Sequence, residues 1–315
     1  MRKKVLVVAP QFIGDSILSI PFFKNLYLYG YEVDVLAKKA SKLVLSTVPY
    51  IKNVYDLEEV TKDFLRSQNY EKAYLLKRSL SALLKVLGCN IKEKIGFSGQ
   101  FRAPFLTKAI KYDKNKHEMD CFFDILKEDG IPVIANKLEY FINEKLEDNL
   151  TKYLVFPKKA LIVASASTFV KNWNDIGFRE VIEFLKQNNY EVYFLGTKAE
   201  RAIYERISPS FGVNLCGELS LEEILFMINK MNFVFGLDSG FCHVATAFDI
   251  PTFSLFGPMN IKKWSLLGNN SYSYSLNLEC SPCQNPKKCN KNYKCMQEIK
   301  ASDVIERIKN YLMVK

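Results

Sequence analysis

Short, fully apolar runs alternate with stretches whose apolar residues recur at helical spacing. This alternation restricts what the chain can fold into more than any other feature. Val5–Ala9 is followed by the turn Pro10–Asp15 and then by Ile17–Tyr29, whose apolar residues keep helical spacing until Gly30. Val33–Leu36, Val54–Leu57, Ala73–Leu76 and the short run Ile95–Phe97 read as further strands, with helical stretches between them and another at Glu118–Glu128. Consecutive apolar residues, rather than an in–out alternation, mark strands buried on both faces. The βα series therefore predicts a parallel sheet covered by helices.

The pattern breaks at residues 135–158, where Asn136–Lys152 is mostly polar and charged and Pro157 follows. A second series then begins. Its strands are Leu161–Ala164, Val192–Leu195, Val213–Leu215, Phe233–Gly236 and Thr252–Phe256. Its helices are Gly177–Gln187, Ala199–Ile207, Leu221–Lys230, one from about Phe241, and Ser302–Leu312 at the end. The reading is an α/β chain of two doubly wound domains, 1–150 and 151–315, facing each other across a cleft. Ligands are expected at the carboxyl ends of the strands.

Composition removes several other classes. A hydrophobic fraction of 48% over 315 residues excludes intrinsic disorder, and 14 Gly with 11 Pro exclude collagen-like and low-complexity chains. No apolar run approaches the ~18–20 residues of a membrane-spanning helix. The start Met1-Arg2-Lys3-Lys4 resembles a secretion signal, but its apolar run is short and is interrupted by Gln11 and Asp15, so a buried strand fits better. Eight cysteines without such a signal point to a reducing, cytoplasmic setting. Cys89, Cys121, Cys216 and Cys242 have mostly apolar neighbours and read as core residues. Cys280, Cys283, Cys289 and Cys295 form C-x2-C-x5-C-x5-C, in which four thiolates could hold a structural Zn²⁺, although the second spacing is loose.

The formal charge is +10, and from Lys77 to Lys116 there are ten basic residues against Glu93 and Asp113. Such a stretch is either a solvated face or a surface for nucleic acid, anionic lipid or phosphorylated molecules. Phe97, Phe101 and Phe105 recur within it at four-residue spacing, as on a helix face, and core packing of the same rings is the alternative. Arg102, Lys108 and Lys111 are the candidate acceptor-binding residues.

Gly14-Asp15-Ser16 lies between the first strand and the first helix. Asp15 there either caps the helix or acts as a general base on a hydroxyl. Asp238-Ser239-Gly240-Phe241-Cys242-His243 follows an apolar strand and opens a helix, where small residues and the helix dipole suit an anion. The glycine spacings of the P-loop and of the dinucleotide fingerprint are absent. Phe256-Gly257-Pro258 turns at the same sheet edge, and Lys171-Asn172-Trp173 brings a cation after the strand Leu161–Ala164. Ser220-Leu221-Glu222-Glu223 is a capping box that uses Glu223 and leaves Glu222 available, for example to a ribose.

Taken in order, Val5–Pro21 with Gly14-Asp15, Lys171 with Trp173, Ser220-Leu221-Glu222, and Asp238-Ser239-Gly240-x-x-His243 through Phe256-Gly257-Pro258 resemble the ADP-heptose:lipopolysaccharide heptosyltransferases, glycosyltransferase family 9. The Cys280–Met296 segment resembles a Cys-rich tail of heptosyltransferase-II-like members. The resemblance implies a GT-B fold, with an amino-terminal domain for the lipid A–Kdo core acceptor and a carboxy-terminal domain for ADP-heptose. It implies inverting, metal-independent transfer without a cofactor, in the cytoplasm at the inner face of the inner membrane. Asp15 matches the proposed base, Lys171 a diphosphate-binding lysine, Glu222 a ribose-binding carboxylate, and Ser239 with Gly240 a phosphate cradle. Asp238 and His243 complete the expected donor-binding set. Asn174 stands where the family usually has Pro, and Phe241 where a smaller residue is frequent. The competing readings are a same-family enzyme with another donor sugar or a capsule-type acceptor, and a non-catalytic protein that binds membrane or nucleic acid.

Overall fold

The computed structural model describes residues 2–283 and 289–313. The chain divides into two compact units, Met1–Phe141 and Ile142–Lys315. Residues 142–150 thus group with the second unit, where the short helix Glu147–Leu150 packs on the helix Leu221–Asn229.

The first unit holds strands β1 (Lys3–Val8), β2 (Tyr31–Ala37), β3 (Asn53–Asp56), β4 (Lys72–Leu75), β5 (Glu93–Phe97) and β6 (Lys108–Ile110). They form one parallel sheet in the order β3-β2-β1-β4-β5-β6. The second unit holds β7 (Lys159–Val163), β8 (Glu191–Phe194), β9 (Val213–Asn214), β10 (Phe233–Leu237), β11 (Thr252–Phe256) and β12 (Ser271–Ser275). Their order, β12-β11-β10-β7-β8-β9, is the same arrangement read from the other edge. Each unit is therefore a Rossmann-type sheet in which the strand order reverses between its first and fourth strands. The central strands are apolar and buried throughout, Val5–Val8 in the first sheet and Phe233–Leu237 in the second.

Three local readings change. The helix expected over Ile17–Tyr29 is two helices, Ile13–Leu18 and Ile20–Leu28, broken at Ser19. Pro21 has no N–H to continue the ladder, and the Ser19 hydroxyl instead bonds the Ser16 carbonyl at 2.7 Å. The edge strands β6 and β12 carried no apolar run. β6 is three residues, half-buried Lys108 and Ile110 around exposed Ala109, and β12 is an alternation of Ser and Tyr. The stretch Phe97–Phe105 is not a helix face. Phe97 ends β5 inside the core, Phe101 sits in the left-handed region with φ 56°, and Phe105 closes a short 3₁₀ turn.

Candidate active site

In the second unit, Lys171 and Asp238 come from the two strands between which the order reverses. Lys171 ends a 3₁₀ turn, Phe169–Lys171, that follows β7. Asp238 directly follows β10, with its N–H held by the Leu255 carbonyl. Their side chains form an ion pair at 2.7 Å and are only 13% and 10% exposed. Burial raises the Asp238 carboxyl above the ordinary carboxylate range, and the Lys171 ammonium opposes that shift. Ser239 is the cap residue of the helix Gly240–Ala247, but its side chain makes no cap bond, so the N-terminal N–H groups are not served by its hydroxyl. A cation and a helix N-terminus thus meet at the carboxyl edge of the sheet, a combination suited to a diphosphate. His243 lies one turn into this helix and is buried.

Glu222 stands in the first turn of the helix Leu221–Asn229, whose cap is the reciprocal Ser220–Glu223 pair expected from sequence. Its Oε1 accepts from Asn143 Nδ2 at 3.0 Å. Asn143 lies in the polar junction segment, where no periodicity marked it. Asn174 caps the helix Asp175–Gln187 by accepting from the Gly177 N–H at 2.7 Å, so the departure from Pro has a structural use. Trp173 is buried, and its indole N–H donates to the Ile299 carbonyl at 3.0 Å. Gly177 makes this seat possible, because a Cβ there would lie 2.3 Å from the indole ring.

The carboxy-terminal segment braces these elements. Gln297 donates to the Asn172 carbonyl at 3.0 Å, Tyr293 meets Phe169 edge-on at 5.6 Å, and the Ser281 hydroxyl bonds the Gly257 carbonyl. A Cβ on Gly257 would collide with Met296 at 2.4 Å, so glycine is required where the segment crosses the Gly257-Pro258 turn. The Zn²⁺ expectation concerns Cys280, Cys283, Cys289 and Cys295, all among the described residues. All eight cysteines are free thiols, and among the described residues no three His, Cys, Asp or Glu side chains gather to hold a metal. Burial first, and then the neighbouring Cys283, Cys280 and Cys289 thiols, push the Cys295 thiol up to about 11. Cys89, Cys121, Cys216 and Cys242 are buried core residues. A cavity of about 470 Å³ beside β12 is lined by other residues, including Tyr274 and Arg307.

In the first unit, Asp15 is the third residue of the helix Ile13–Leu18 and is half-buried at the carboxyl end of β1, again beside the strand-order reversal. It is not the helix cap; Phe12 takes that position without a side-chain cap bond. An acidic side chain in the first turn also gains from the helix dipole. The basic stretch is not one exposed surface. Arg102 is fully buried and donates to the carbonyls of Lys77, Gly99 and Phe97, so it is not a surface contact. Lys108 is committed to Asp129 at 2.7 Å, and only Lys111 of the three is exposed. Among the described residues no helix is long and apolar enough to cross a membrane.

Two Rossmann-type units in tandem, each with the same strand order, have the fold of the GT-B class. The family model of glycosyltransferase family 9 (heptosyltransferase) matches residues 61–294, and the chain belongs to that family. Lys171, Glu222 and Asp238–His243 fall inside the matched region and Asp15 precedes it. The chain is 25% identical to lipooligosaccharide heptosyltransferase 2 of Campylobacter jejuni (serotype O:6), over 97% of this chain and 98% of that one. It is 23% identical to the lipopolysaccharide core heptosyltransferase OpsX of Haemophilus influenzae, over 88% and 86%. The solved structure of the Escherichia coli ADP-heptose lipopolysaccharide heptosyltransferase II superposes with a TM-score of 0.83 over 98% of each chain, at 19% identity.

Proposed function

We propose that this chain moves heptose from ADP-heptose to a lipopolysaccharide or lipooligosaccharide core acceptor, with inversion at the anomeric carbon. The second unit binds the donor and the first the acceptor, on the cytoplasmic side of the inner membrane. The observation that carries the reading is the Lys171–Asp238 pair, held at 2.7 Å beside the start of the helix Gly240–Ala247.

As the glycosidic bond to ADP breaks, negative charge grows on the diphosphate. Lys171 and the N–H groups at Ser239 and Gly240 stabilise that charge, which is preorganised electrostatic catalysis and supplies what a metal supplies elsewhere. Removing one such donor costs ~100-fold or more in rate. Glu222 holds the ribose, with Asn143 orienting its carboxylate. Asp15 takes the proton of the attacking acceptor hydroxyl as a general base. One displacement suffices for inversion, so no protein nucleophile is needed. The decisive experiment follows ADP release and product mass when ADP-heptose and a Kdo-containing core acceptor are supplied together. Absence of acceptor-dependent ADP release from the folded protein refutes the assignment.

A further inference from the structure

The loop between β5 and β6 is built around a buried guanidinium. Arg102 donates to the Lys77 carbonyl at 3.0 Å, to Gly99 at 3.4 Å and to Phe97, three acceptors that offset the cost of taking the charge out of water. The Leu80 N–H donates to Gln100 Oε1 at 3.0 Å, so the loop is also tied to the start of the helix Leu80–Val86. The projection anchored in this way is apolar at its tip. Phe101 is 92% exposed and Phe105 52%, and Leu80 and Leu84 on the adjoining helix are 39% and 50% exposed. Phe101 also holds a left-handed backbone angle that a bulky side chain disfavours, so the anchoring bonds present it to solvent against its own preference. Cations flank the tip. Exposed Arg78 stacks 3.8 Å above the Tyr112 ring, and exposed Lys111 follows β6.

We propose that this projection seats the chain on an anionic lipid surface, with Phe101 and Phe105 entering the boundary between headgroups and acyl chains and Arg78 and Lys111 pairing with lipid phosphates. The inference rests on the reading above, in which the acceptor is a lipid-anchored saccharide. Rings at that boundary and cations among anionic headgroups are the two kinds of contact that together give stable peripheral binding. Exposed Arg78, Lys92, Lys111 and Lys114 against exposed Asp113 supply the charge complementarity that selects lipid as the occupant, whereas Arg102 is buried and Lys108 and Lys116 are paired with Asp129 and Asp124.

The test is co-sedimentation with vesicles of phosphatidylethanolamine and phosphatidylglycerol, compared with phosphatidylcholine vesicles. The parent is expected to bind the anionic vesicles and to lose that binding as salt rises. Phe101→Ser with Phe105→Ser should lower the partition coefficient at least tenfold, and Lys111→Glu should lower it on anionic vesicles alone. Ile134→Ser, which alters an apolar residue of the same unit with exposure (67%) between those of the two Phe, should leave it unchanged. Unchanged circular dichroism and melting temperature verify that the variants fold. Transfer to a deacylated, water-soluble acceptor is measured in parallel and should survive in the double Phe variant. A parent that ignores anionic vesicles, or a double variant that binds them as the parent does, overturns the docking proposal. Loss of transfer to the soluble acceptor by the parent refutes the catalytic reading separately.

Discussion

At the residue scale, two side chains carry separable predictions. Asp15→Ala should reduce transfer by more than ~100-fold while leaving ADP affinity unchanged, because a base acts in the transition state and not in nucleotide capture. Parallel kinetics and calorimetry check this, and near-parental turnover assigns the proton transfer elsewhere. Lys171→Ala should weaken ADP binding by ~10–100-fold, the equivalent of one lost charged hydrogen bond. The same variant leaves Asp238 buried without its cation. Its carboxyl, already raised by burial, should rise further, so the folded state holds a proton that the unfolded state gives up. Stability of Lys171→Ala relative to the parent should therefore fall as pH climbs through the range where Asp238 ionises. Lys171→Ala/Asp238→Asn should recover that stability in urea titrations without recovering ADP affinity. Sequence placed both lysine and carboxylate near one sheet edge. It did not show that they pair, because 67 residues separate them and only sheet register brings them together. Arg102 shows the converse. A basic residue among basic residues reads as surface, and only the three carbonyls around it reveal a buried anchor.

At the element scale, the helix Asp175–Gln187 depends on what precedes it. Gly177→Ala places a methyl against the Trp173 ring and should cost ~1–3 kcal/mol through overpacking. A thermal midpoint several degrees below the parent's is the readout. Asn174→Ala should cost ~1 kcal/mol as a lost cap, with Asn174→Asp close to neutral. In the first unit, Asp129 ends the helix Glu118–Glu128 and accepts from Lys72, Lys108 and the Tyr74 hydroxyl with its side chain fully buried. Burial pushes its carboxyl up, and the bonds from Lys108, Lys72 and Tyr74 outweigh that and hold it below the ordinary carboxylate value. The stability it contributes is then fully present above about pH 4 and drains as pH falls through the lower folded value. Asp129→Ala, which strands two lysines and a phenol, should cost ~3 kcal/mol at pH 7, with the gap to the parent narrowing below pH 4 in urea titrations. The paired capping box at Ser220 and Glu223 was legible because its contacts are three residues apart. The edge strands β6 and β12 were not, because a half-exposed edge needs no apolar run.

At the scale of the whole molecule, the same strand order occurs in both units, and the candidate residues of each lie beside its reversal point. If Lys171 and the start of the helix Gly240–Ala247 take the diphosphate as proposed, EDTA should leave the transfer rate unchanged. A rate abolished by chelation and restored by Mg²⁺ would show that a metal carries the diphosphate charge instead. The carboxy-terminal segment belongs to this scale as well. Its bonds to Asn172, Trp173 and Gly257 brace the turns that carry Lys171 and Gly257-Pro258, a role that cysteine spacing alone did not suggest.

The sequence by itself determined the α/β class, the two-unit plan, the buried strands and the local caps. Each of these follows from interactions within a few residues or from the demand that a strand buried on both faces be apolar throughout. Tertiary structure decided which distant groups meet. The Lys171–Asp238 pair, the Asn143–Glu222 bond, the buried seat of Arg102 and the bracing of the Lys171 turn all join residues brought together by sheet register and loop path. Charge patterning could not separate Arg102 from exposed Lys111, because a cation's place is set by the acceptors folded around it and not by its neighbours in sequence.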